Sequence, residues 1–182
     1  MEYRAYYDSP LGSILLTSDG EALTGLWFEG QLEYAERSAR REPVQECEAE
    51  EPEAIRGARR WLDQYFRGEI PDFMPTVRPE GTKFQKTVWK ILLTIPYGQT
   101  VSYGTIASRI AAEWGIKRMS AQAVGGAVGH NPVSLIIPCH RVIGTDGSMV
   151  GYGGGLDRKI WLLRHEAETV QGQKSGNPLT EI

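Results

Sequence analysis

The sequence predicts an α/β fold of the α+β type, with a small N-terminal lobe joined to a mostly helical C-terminal domain. Strand-like segments crowd the first part of the chain, proline and glycine are concentrated at 68–81, and helical periodicity dominates the remainder of the chain. The lobe is expected to combine an antiparallel sheet with a helix, and the domain to contain a helix-turn-helix and an active-site loop. We expect the lobe to span 1–78, the domain 79–169, and a flexible tail 170–182.

The N-terminal strands are predicted from short β-rich segments between turn residues. YRAYYDS and GSILLTS are separated by a Pro-Leu-Gly turn, and an Asp-Gly turn precedes LTGLWFEG. Close spacing of this kind is typical of a small antiparallel sheet. Residues 53–67 then place apolar side chains at helical spacing, with arginines on the other side, which predicts an amphipathic helix that covers the sheet. The apolar positions are Ile55, Ala58, Trp61, Leu62, Tyr65 and Phe66.

Helices of the C-terminal domain are predicted from their caps. Thr82 can cap a helix that runs through WKILL to the turn IPYGQ, and Ser102 can cap a second one, YGTIASRIA. A third segment, MSAQAVGGAVG at 119–129, carries three glycines, and each costs about 1 kcal/mol relative to alanine in a helix. Its small side chains either serve tight packing inside the protein or let a helix backbone approach another surface, such as a nucleic-acid groove.

Composition indicates an ordinary globular chain of 182 residues, 41% hydrophobic and 24% charged. No segment approaches the roughly 18 apolar residues of a membrane span, so we expect a cytoplasmic protein without membrane contact. The chain has only Cys47 and Cys139, in very different surroundings, which argues against a disulfide framework. The histidines His130, His140 and His165 lack the spacing of a zinc site, so no bound metal is expected.

Charge is distributed unevenly along the chain. Residues 1–80 hold 9 Lys or Arg against 17 Asp or Glu, a net charge of −8, whereas residues 81–182 hold 11 against 6, a net charge of +5. A nucleic-acid contact requires local positive charge, so it would belong to the second half. The alternative is that the acidic half only aids solubility.

The segment LIIPCHRVIG places Cys139 beside His140 and Arg141 between two aliphatic runs. Pro138 favours an extended backbone before it, so Cys139 is expected where a strand ends. A thiol in apolar surroundings has a raised pKa, and a reactive one needs a nearby base or cation. Adjacent side chains of an extended segment point to opposite faces, so His140 would reach the sulfur through a water or a kink. A carboxylate would then orient the imidazole, and Glu166, at the end of LDRKIWLLRHE, is the candidate.

Longer motifs around this segment resemble a known family. GTKFQKTVWKILLTIPYGQTVSYGTIA, AVGGAVGHNPVSLIIPCHRVIG and GYGGGLDRKIWLLRHE resemble the catalytic domain of the methylated-DNA-protein-cysteine methyltransferases, the O6-alkylguanine-DNA alkyltransferases. The resemblance covers residues 81–166, and SPLGSILLTSDGEALTGLWF resembles more loosely the family's N-terminal lobe. It implies direct-reversal DNA repair without a cofactor, in which a single-turnover enzyme transfers the alkyl group of O6-alkylguanine irreversibly to Cys139. Whether O4-alkylthymine is also a substrate stays open.

The resemblance also implies roles for individual residues. Cys139 would be the nucleophile, His140 would draw off the thiol proton through a water, and Glu166 would hold the imidazole. Asn131 matches the family's hinge asparagine. Tyr103 matches a tyrosine that helps to rotate the target nucleotide and donates a proton towards the leaving guanine. The positions that line the alkyl and base pocket in the family are Val142, Met149, Tyr152 and Gly153.

Double-stranded DNA containing an alkylated guanine is the partner that the resemblance implies, bound by a monomer. In the family, the helix-turn-helix enters the minor groove and contacts mostly the backbone, and the damaged nucleotide is flipped out of the duplex. Contacts with DNA would come from Arg118, Gln122, Ala123, Gly125, Gly126 and Ala127.

The sequence departs from the family pattern at several positions. Gln122 stands where many members have an arginine that fills the space of the flipped base, and Arg118, one helical turn earlier, is the candidate to replace its charge. The linker SRIAAEWGIKRMS between the two helices is longer than in the shorter members, and its Lys117 and Arg118 can meet phosphates. Gly153 is smaller than the serine of some relatives, which predicts a pocket at least as roomy.

Alternative functions use the same residue types. A non-catalytic sensor of alkylated DNA is the main alternative, although such relatives replace the nucleophile that Cys139 provides here. A cysteine hydrolase would need an oxyanion hole, for which the sequence offers no separate signal, and a transcriptional regulator would need an added DNA-binding domain. By residue type alone, a buried and unreactive cysteine is the simplest alternative. Arg141 is expected to be structural and to hold its loop by pairing with a carboxylate or with carbonyls.

Overall fold

The computed structural model describes residues 2–31, 45–46 and 51–175. A run of strands comes first and helices follow, with one short strand pair among them. The strands are β1 (Tyr3–Ser9), β2 (Gly12–Ser18), β3 (Leu23–Phe28), β4 (Gln45–Glu46), β5 (Val101–Ser102) and β6 (Val142–Ile143). The helices are α1 (Glu53–Phe66), α2 (Lys83–Leu92), α3 (Tyr103–Trp114), α4 (Ala121–Gly129) and α5 (Leu156–Ser175), with a short 3-10 turn at Cys139–Arg141.

The N-terminal lobe is built on a sheet with strand order β3-β2-β1-β4. β1 and β2 form an antiparallel hairpin in which Ser9 pairs with Gly12, and β3 continues antiparallel to β2. Gly12 has a φ of 102°, which residues other than glycine rarely adopt, so this residue makes the tight turn possible. The predicted antiparallel sheet is confirmed for these strands. β4 adds to the edge in parallel orientation, which the sequence did not indicate.

Helix α1 covers one face of the sheet, as its apolar spacing predicts. Ile55, Ala58 and Leu62 are buried in a common core with strand residues such as Leu16. Burying a large aliphatic side chain in this way stabilises the fold by about 1.5–3 kcal/mol. The opposite side of the helix is exposed and carries ion pairs between Glu53 and two arginines.

The two parts of the chain share one hydrophobic core. Backbone hydrogen bonds join Leu26 of β3 to Pro132 and Ser134 of the C-terminal domain at 2.8 and 3.0 Å. The proline-rich segment between α1 and α2 also lies along β3, because the Leu23 N–H bonds to the Thr76 carbonyl at 2.8 Å. This segment is therefore packed against the sheet, and the boundary placed there stays a prediction.

Helices α2 and α3 begin at the caps that the sequence predicts. The Thr82 hydroxyl accepts a hydrogen bond from the Gln85 N–H, and the Gln85 side chain accepts one from the Thr82 N–H, which forms a capping box. The Ser102 hydroxyl accepts from the Thr105 N–H at 3.0 Å. Each cap of this kind is worth about 1 kcal/mol, so the two starts are fixed locally.

Helix α3 is longer than the sequence predicts. It continues to Trp114 and ends at Gly115, which takes the left-handed conformation with a φ of 64°. Residues assigned to the linker between the two helices therefore form the last turns of α3, because Ala111 continues its buried face. The connecting turn covers 115–120, where the Ser120 hydroxyl caps α4.

Helix α5 extends beyond the expected start of the flexible tail. It is continuous to Ser175, so the prediction of a tail is wrong for 170–175, and residues 176–182 lie outside the described part of the chain. Thr169 is still packed against the protein, with 8% of its surface exposed, whereas residues 171–174 of the helix are exposed. Glu166 consequently lies inside the helix and not at its end.

Candidate active site and DNA-binding helix

Asn131 connects the end of α4 to the segment that carries Cys139. Its amide nitrogen donates to the Ile137 carbonyl at 2.8 Å and lies 3.1 Å from the Cys139 sulfur. Its amide oxygen accepts from the Val133 N–H at 3.0 Å. The side chain is buried, so these bonds are shielded from water and fix the thiol relative to the helix.

The backbone at Leu135 bends the segment towards the thiol. Leu135 has a φ of 71°, a left-handed conformation that costs a leucine about 1–3 kcal/mol. A hydrogen bond from the Ile137 N–H to the Val133 carbonyl, 3.0 Å long, closes the bend. The Leu135 backbone acts to lower the pKa of the Cys139 thiol, so the strained residue contributes to the environment of the thiol.

Cys139 lies in a 3-10 turn and not at the end of a strand, which corrects the sequence-based expectation. Pro138 has φ and ψ of −81° and 65°, the values of an inverse γ-turn. The Cys139 N–H closes this turn by donating to the Ile137 carbonyl at 2.8 Å. The backbone becomes extended only at Val142. The 3-10 turn before Val142 is therefore a kink in the backbone at His140, one of the two features by which His140 was expected to reach the sulfur.

Burial raises the pKa of the Cys139 thiol, which is only 4% exposed. The hydrogen bond from Asn131 and the charge of Lys159 oppose this rise without overcoming it. The thiol is therefore protonated in the resting protein at neutral pH, and it needs a base to become a nucleophile.

His140 is oriented by Glu166. Its Nε2 lies 2.6 Å from Glu166 Oε1, and both side chains are fully buried. Burial lowers the pKa of His140, so a neutral imidazole donates its Nε2 proton to the carboxylate. Nδ1 then carries the lone pair, and it has no hydrogen-bond partner within the described residues, Cys139 included. The base is thus not in direct contact with the sulfur, as expected from the sequence.

The Glu166 carboxylate collects donors from several elements. Arg141 donates from Nε and Nη2 at 2.9 and 3.0 Å, Tyr65 Oη donates at 2.9 Å, and the Gly98 N–H donates at 3.0 Å. Burial by itself would raise the pKa of Glu166, but His140 and Arg141 outweigh it and hold this pKa well below its usual range. Because Tyr65 belongs to α1, the N-terminal lobe directly supports the reactive site.

Arg141 holds its loop, as the sequence predicts. Besides its bonds to Glu166, its Nη1 donates to the Ile95 carbonyl at 2.8 Å. Its guanidinium also lies 5.3 Å from the centroid of the Tyr97 ring. These contacts occupy the side chain fully, so it positions the carboxylate and the 3-10 turn.

Lys159 is a buried cation that was not among the predicted site residues. Its side chain is fully buried, and its ammonium donates to the carbonyls of Val142 and Val150. The ammonium lies 5.9 Å from the centroid of the Tyr103 ring and interacts electrostatically with Cys139. Burial lowers the pKa of Lys159, and the sulfur opposes that effect. Lys159 therefore ties together both ends of the loop that follows the thiol.

Tyr103 borders the site at the start of α3. Its hydroxyl donates to the Val150 carbonyl at 2.9 Å and lies 3.3 Å from the Gly151 carbonyl. Burial raises the pKa of Tyr103, which makes its hydroxyl a weaker acid than that of a free tyrosine. The geometry therefore favours a hydrogen-bond donor over the proton donor that the resemblance implies, and the role itself stays a prediction.

The predicted pocket residues differ in exposure. Val142 is fully buried, whereas Met149 is 38% exposed on the loop surface. The buried hydroxyl of Tyr152 has no hydrogen-bond partner in the described part of the chain. Its ring packs so closely on the backbone that a Cβ on Gly154 would lie 2.5 Å from it. A side chain at 154 would therefore force the Tyr152 ring to shift, and the contacts of these residues with an alkyl group stay predictions.

Gly153 faces the N-terminal lobe, and Gly153→Ser is expected to slow the reaction with bulky alkyl groups. A Cβ here would meet Gln31 Nε2 at 3.4 Å and the Gly129 carbonyl at 3.6 Å, contacts that leave the fold intact but fill space. We expect the rate with O6-benzylguanine to fall about tenfold, the usual size of such an effect in a pocket. Rates with benzyl and methyl substrates test this, with Gly172→Ser on open surface as the control. A benzyl rate equal to or higher than that of the parent would contradict it.

The glycine-rich helix α4 presents its smooth side to solvent. Gln122, Ala123 and Gly126 are exposed, and a Cβ on Gly126 would meet nothing within 4 Å. A Cβ on the half-buried Gly125 would make only an ordinary contact with the Tyr103 ring at 3.8 Å. Internal packing therefore does not explain the glycines, which leaves the approach of the helix backbone to an external surface.

Ala127 does not belong to the exposed side of α4, which corrects one of the expected DNA contacts. It is 4% exposed and lies with Val124 and Val128 on the core side of the helix. Its carbonyl accepts a hydrogen bond from Trp89 Nε1 at 2.9 Å. The helical repeat places these positions on one face, away from the exposed glycine. Arg118 is exposed in the turn before α4.

Family models match nearly the whole chain. The DNA binding domain of 6-O-methylguanine DNA methyltransferase matches residues 83–168, and the ribonuclease-like domain of 6-O-methylguanine DNA methyltransferase matches residues 2–76. The chain belongs to the 6-O-methylguanine DNA methyltransferase family. This finding confirms the resemblance stated from the sequence motifs and places the DNA-binding function in the C-terminal domain.

Relatives of this methyltransferase are similar over almost their full length. The methylated-DNA-protein-cysteine methyltransferase of Mycobacterium bovis is 46% identical over 159 residues, 87% of this chain and 88% of the relative. That of Methanosarcina acetivorans is 42% identical over 164 residues, 90% and 97% of the two chains. The crystal structure of Mycobacterium tuberculosis OGT in complex with DNA superposes with a TM-score of 0.77 at 42% identity, over 92% and 94% of the two chains. These similarities confirm the predicted fold and the enzyme class.

Some expectations concern features that the described residues lack. Within 2–31, 45–46 and 51–175, no group of histidine, cysteine or acidic side chains is arranged to hold a metal ion. None of the helices in these ranges is long and apolar enough to cross a membrane. Cys139 is a free thiol, and Cys47 lies outside the described residues.

Several residues that support the methyltransferase site were not predicted from the sequence. Lys159 shares the buried stripe of α5 with Leu162 and Glu166, so a lysine at core spacing was a detectable signal. Tyr65 was recognised as a core residue, but its hydroxyl partner lies 101 residues away in sequence. The Gly98 backbone contact likewise has no local signature.

Proposed function

We propose that the protein repairs DNA by transferring the alkyl group of O6-alkylguanine to the sulfur of Cys139 in one irreversible, single-turnover step. Family membership makes the chain a methylated-DNA-protein-cysteine methyltransferase, and the proposal assigns the acceptor atom and its supporting residues. One observation carries it: a buried thiol held by Asn131 lies next in sequence to an imidazole that Glu166 fixes through Nε2.

Activation of the thiol is assigned to His140. Its unpartnered Nδ1 accepts the thiol proton through a bridging water, and the Glu166 carboxylate stabilises the imidazolium that results. The sulfur then attacks the alkyl carbon in line with the bond to O6. A carbon–sulfur bond forms as the carbon–oxygen bond breaks, the electron pair leaves with O6, and the guanine ring takes up one proton. The thioether of Cys139 is stable, so each molecule of protein reacts once.

Access to the thiol requires the damaged nucleotide to leave the duplex. Cys139 is 4% exposed, so a base that remains stacked in DNA cannot reach the sulfur. Helix α4 would occupy the minor groove with its exposed Gln122, Ala123 and Gly126, while the Tyr103 hydroxyl hydrogen-bonds to the flipped base. We infer that the partner is double-stranded DNA containing an alkylated guanine and that the protein acts as a monomer. A cytoplasmic location fits the need to keep the thiol reduced.

Intact-mass measurement after mixing the protein with a short duplex bearing one O6-methylguanine tests the proposal. We expect the mass to increase by one methylene per protein and never by more, because the acceptor is consumed. Peptide mapping is expected to place the added group on Cys139, and Cys139→Ala is expected to show no increase. Retained binding to the damaged duplex without any mass increase would sink the proposal and favour the non-catalytic lesion sensor.

A further inference from the structure

We propose that the turn between α3 and α4, residues 115–120, is a second DNA contact that binds backbone phosphates through Lys117 and Arg118. The inference rests on the proposed function, because the DNA is the duplex that α4 is proposed to enter. It adds a phosphate-binding element to one side of that helix.

The cations of the turn are available for an external partner. Lys117 and Arg118 are exposed, and neither makes a hydrogen bond or an ion pair within the described residues. By contrast, the exposed Arg56, Arg60 and Arg78 of the N-terminal half are each paired with carboxylates. An unpaired cation can neutralise a phosphate without first giving up an internal ion pair.

The turn is continuous with the proposed DNA-binding helix. It runs from Gly115, which ends α3, to Ser120, which caps α4 through the Ala123 N–H at 3.2 Å. Arg118 is therefore only a few residues from Gln122, the first exposed polar residue of the helix. A partner that lies against the N-terminal end of α4 must pass beside this turn.

The surroundings of the turn are positively charged. The rings of Phe84 in α2 and Trp114 at the end of α3 are in edge contact, with centroids 6.0 Å apart. This contact places the first turn of α2, with the exposed Lys83, beside the start of the connecting turn. Residues 81–120 hold 6 Lys or Arg and 1 acidic residue, Glu113. This surface therefore attracts a polyanion more strongly than an acidic or neutral surface would.

The position of the turn also accounts for an uncharged residue in the helix. Gln122 is an exposed polar residue at the start of α4, and a glutamine can hydrogen-bond to an orphaned base but brings no positive charge. Lys117 and Arg118 supply charge at the same end of α4, outside the groove and not within it. They would hold the backbone while Gln122 contacts the base stack.

The salt dependence of DNA binding tests the contact. We would measure the affinity of the full chain for an undamaged duplex by fluorescence anisotropy between ~50 and ~200 mM salt. The double variant Lys117→Ala/Arg118→Ala is expected to reduce the slope of log affinity against log salt by about 2, one for each phosphate that is no longer neutralised. Lys117→Arg/Arg118→Lys keeps both charges and is expected to keep the slope.

A matched control removes two cations far from the turn. Arg164→Ala/Lys174→Ala lies on α5, whose C-terminal half packs beside Phe66 and Gly68 of the N-terminal lobe, and both side chains are exposed. This control is expected to retain the parent slope. An unchanged slope in the Lys117/Arg118 alanine variant, or an equal reduction in the control, would overturn the proposal.

A rescue variant, and a readout that does not depend on alkyl transfer, complete the test. Adding Gln122→Arg to the alanine variant is expected to restore part of the reduced affinity, because charge returns to the same end of α4. The slope is measured with undamaged DNA and does not require alkyl transfer. If the parent protein shows a steep slope that depends on the turn but transfers no alkyl group, the proposed function fails and the turn contact stands. If the parent protein transfers the alkyl group but the alanine variant keeps the parent slope, the proposed function stands and the turn contact fails.

Discussion

Glu166→Gln is expected to destabilise the fold by about 3–5 kcal/mol and to remove most of the transfer activity. The carboxylate accepts hydrogen bonds from His140, from two nitrogens of Arg141, and from Tyr65 and Gly98. A glutamine amide replaces one accepting oxygen by an N–H donor, which would face groups that themselves donate. It also leaves the buried guanidinium without its counter-charge, which is the larger part of the energetic cost.

The activity loss in this variant follows from the imidazole. Without the carboxylate, His140 loses the partner that fixes its Nε2 proton and stabilises its protonated form, and we expect the transfer rate to fall about 10²-fold. Denaturant unfolding and the rate with free O6-benzylguanine measure the two effects. Glu168→Gln, an exposed acid on the same helix, is the control. A near-parental rate in Glu166→Gln would mean that the imidazole does not act as the base.

The pH dependence of stability gives this variant a second signature. The folded pKa of Glu166 lies below its unfolded value of about 4.3, because His140 and Arg141 outweigh the effect of burial. Its stabilising contribution is therefore fully present above that value and is lost as the pH falls through the depressed folded pKa. The difference in unfolding free energy between parent and Glu166→Gln is expected to shrink as the solution is acidified below about pH 4. A constant difference would show that the ionised carboxylate is not what stabilises the parent.

The same network changes the role expected for the N-terminal lobe. Tyr65 Oη donates to Glu166 from α1, and the Gly153 position faces Gln31 of the same lobe. The acidic lobe therefore does more than aid solubility, because it supplies a hydrogen bond to the carboxylate that orients His140. Tyr65→Phe keeps the ion pair and removes one donor, so it serves as the milder companion of Glu166→Gln.

Local signals predicted most helix starts but not where the helices end. Thr82 and Ser102 cap their helices through nearby backbone N–H groups, so a few neighbouring residues suffice to recognise them. The end of α3 at Trp114 was missed although Gly115, in the left-handed conformation, is a local stop signal, and the continuation of α5 to Ser175 has no comparable local signature. The parallel addition of β4 likewise joins segments that are far apart in sequence, beyond the reach of periodicity.

Cys139 and His140 were predicted because they lie in one short motif, whereas Lys159 and the hydrogen bonds from Tyr65 and Gly98 were not. Cys139 and His140 are adjacent, and Glu166 in LDRKIWLLRHE was the candidate carboxylate from the residues themselves, a role that the resemblance also implied. Residue types alone left open the alternative that Cys139 is a buried and unreactive cysteine. The structure adds that the His140 Nδ1 has no hydrogen-bond partner within the described residues, and no spacing in the sequence contains that information.

Lys159→Met is expected to raise the apparent pKa of the Cys139 thiol and to slow alkyl transfer at neutral pH. Burial already raises the pKa of this thiol, and the ammonium of Lys159 is one of the groups that oppose the rise. Methionine fills a similar volume without the charge. Only Asn131 and the backbone would then still act to lower the pKa of the thiol. Each unit by which the pKa rises lowers the thiolate fraction at pH 7 about tenfold.

Other titratable groups near the sulfur do not replace this charge. Burial raises the pKa values of Tyr103 and Tyr152, so both hydroxyls are neutral near pH 7. Burial lowers the pKa of His140, which leaves its imidazole neutral in the resting protein. The guanidinium of Arg141 is neutralised by its bonds to Glu166.

A pH profile separates this electrostatic role from a purely structural one. Lys159 also donates to the Val142 and Val150 carbonyls, and leaving them without donors costs about 1–3 kcal/mol of stability in any case. Loop damage would lower the rate of thiol alkylation by iodoacetamide at every pH, whereas loss of charge moves the midpoint of the profile upwards. Arg164→Met, which removes an exposed cation from the same helix, is expected to leave the midpoint in place. A lower rate with an unmoved midpoint in Lys159→Met would assign the lysine to holding the loop alone, because the sulfur would then be insensitive to its charge.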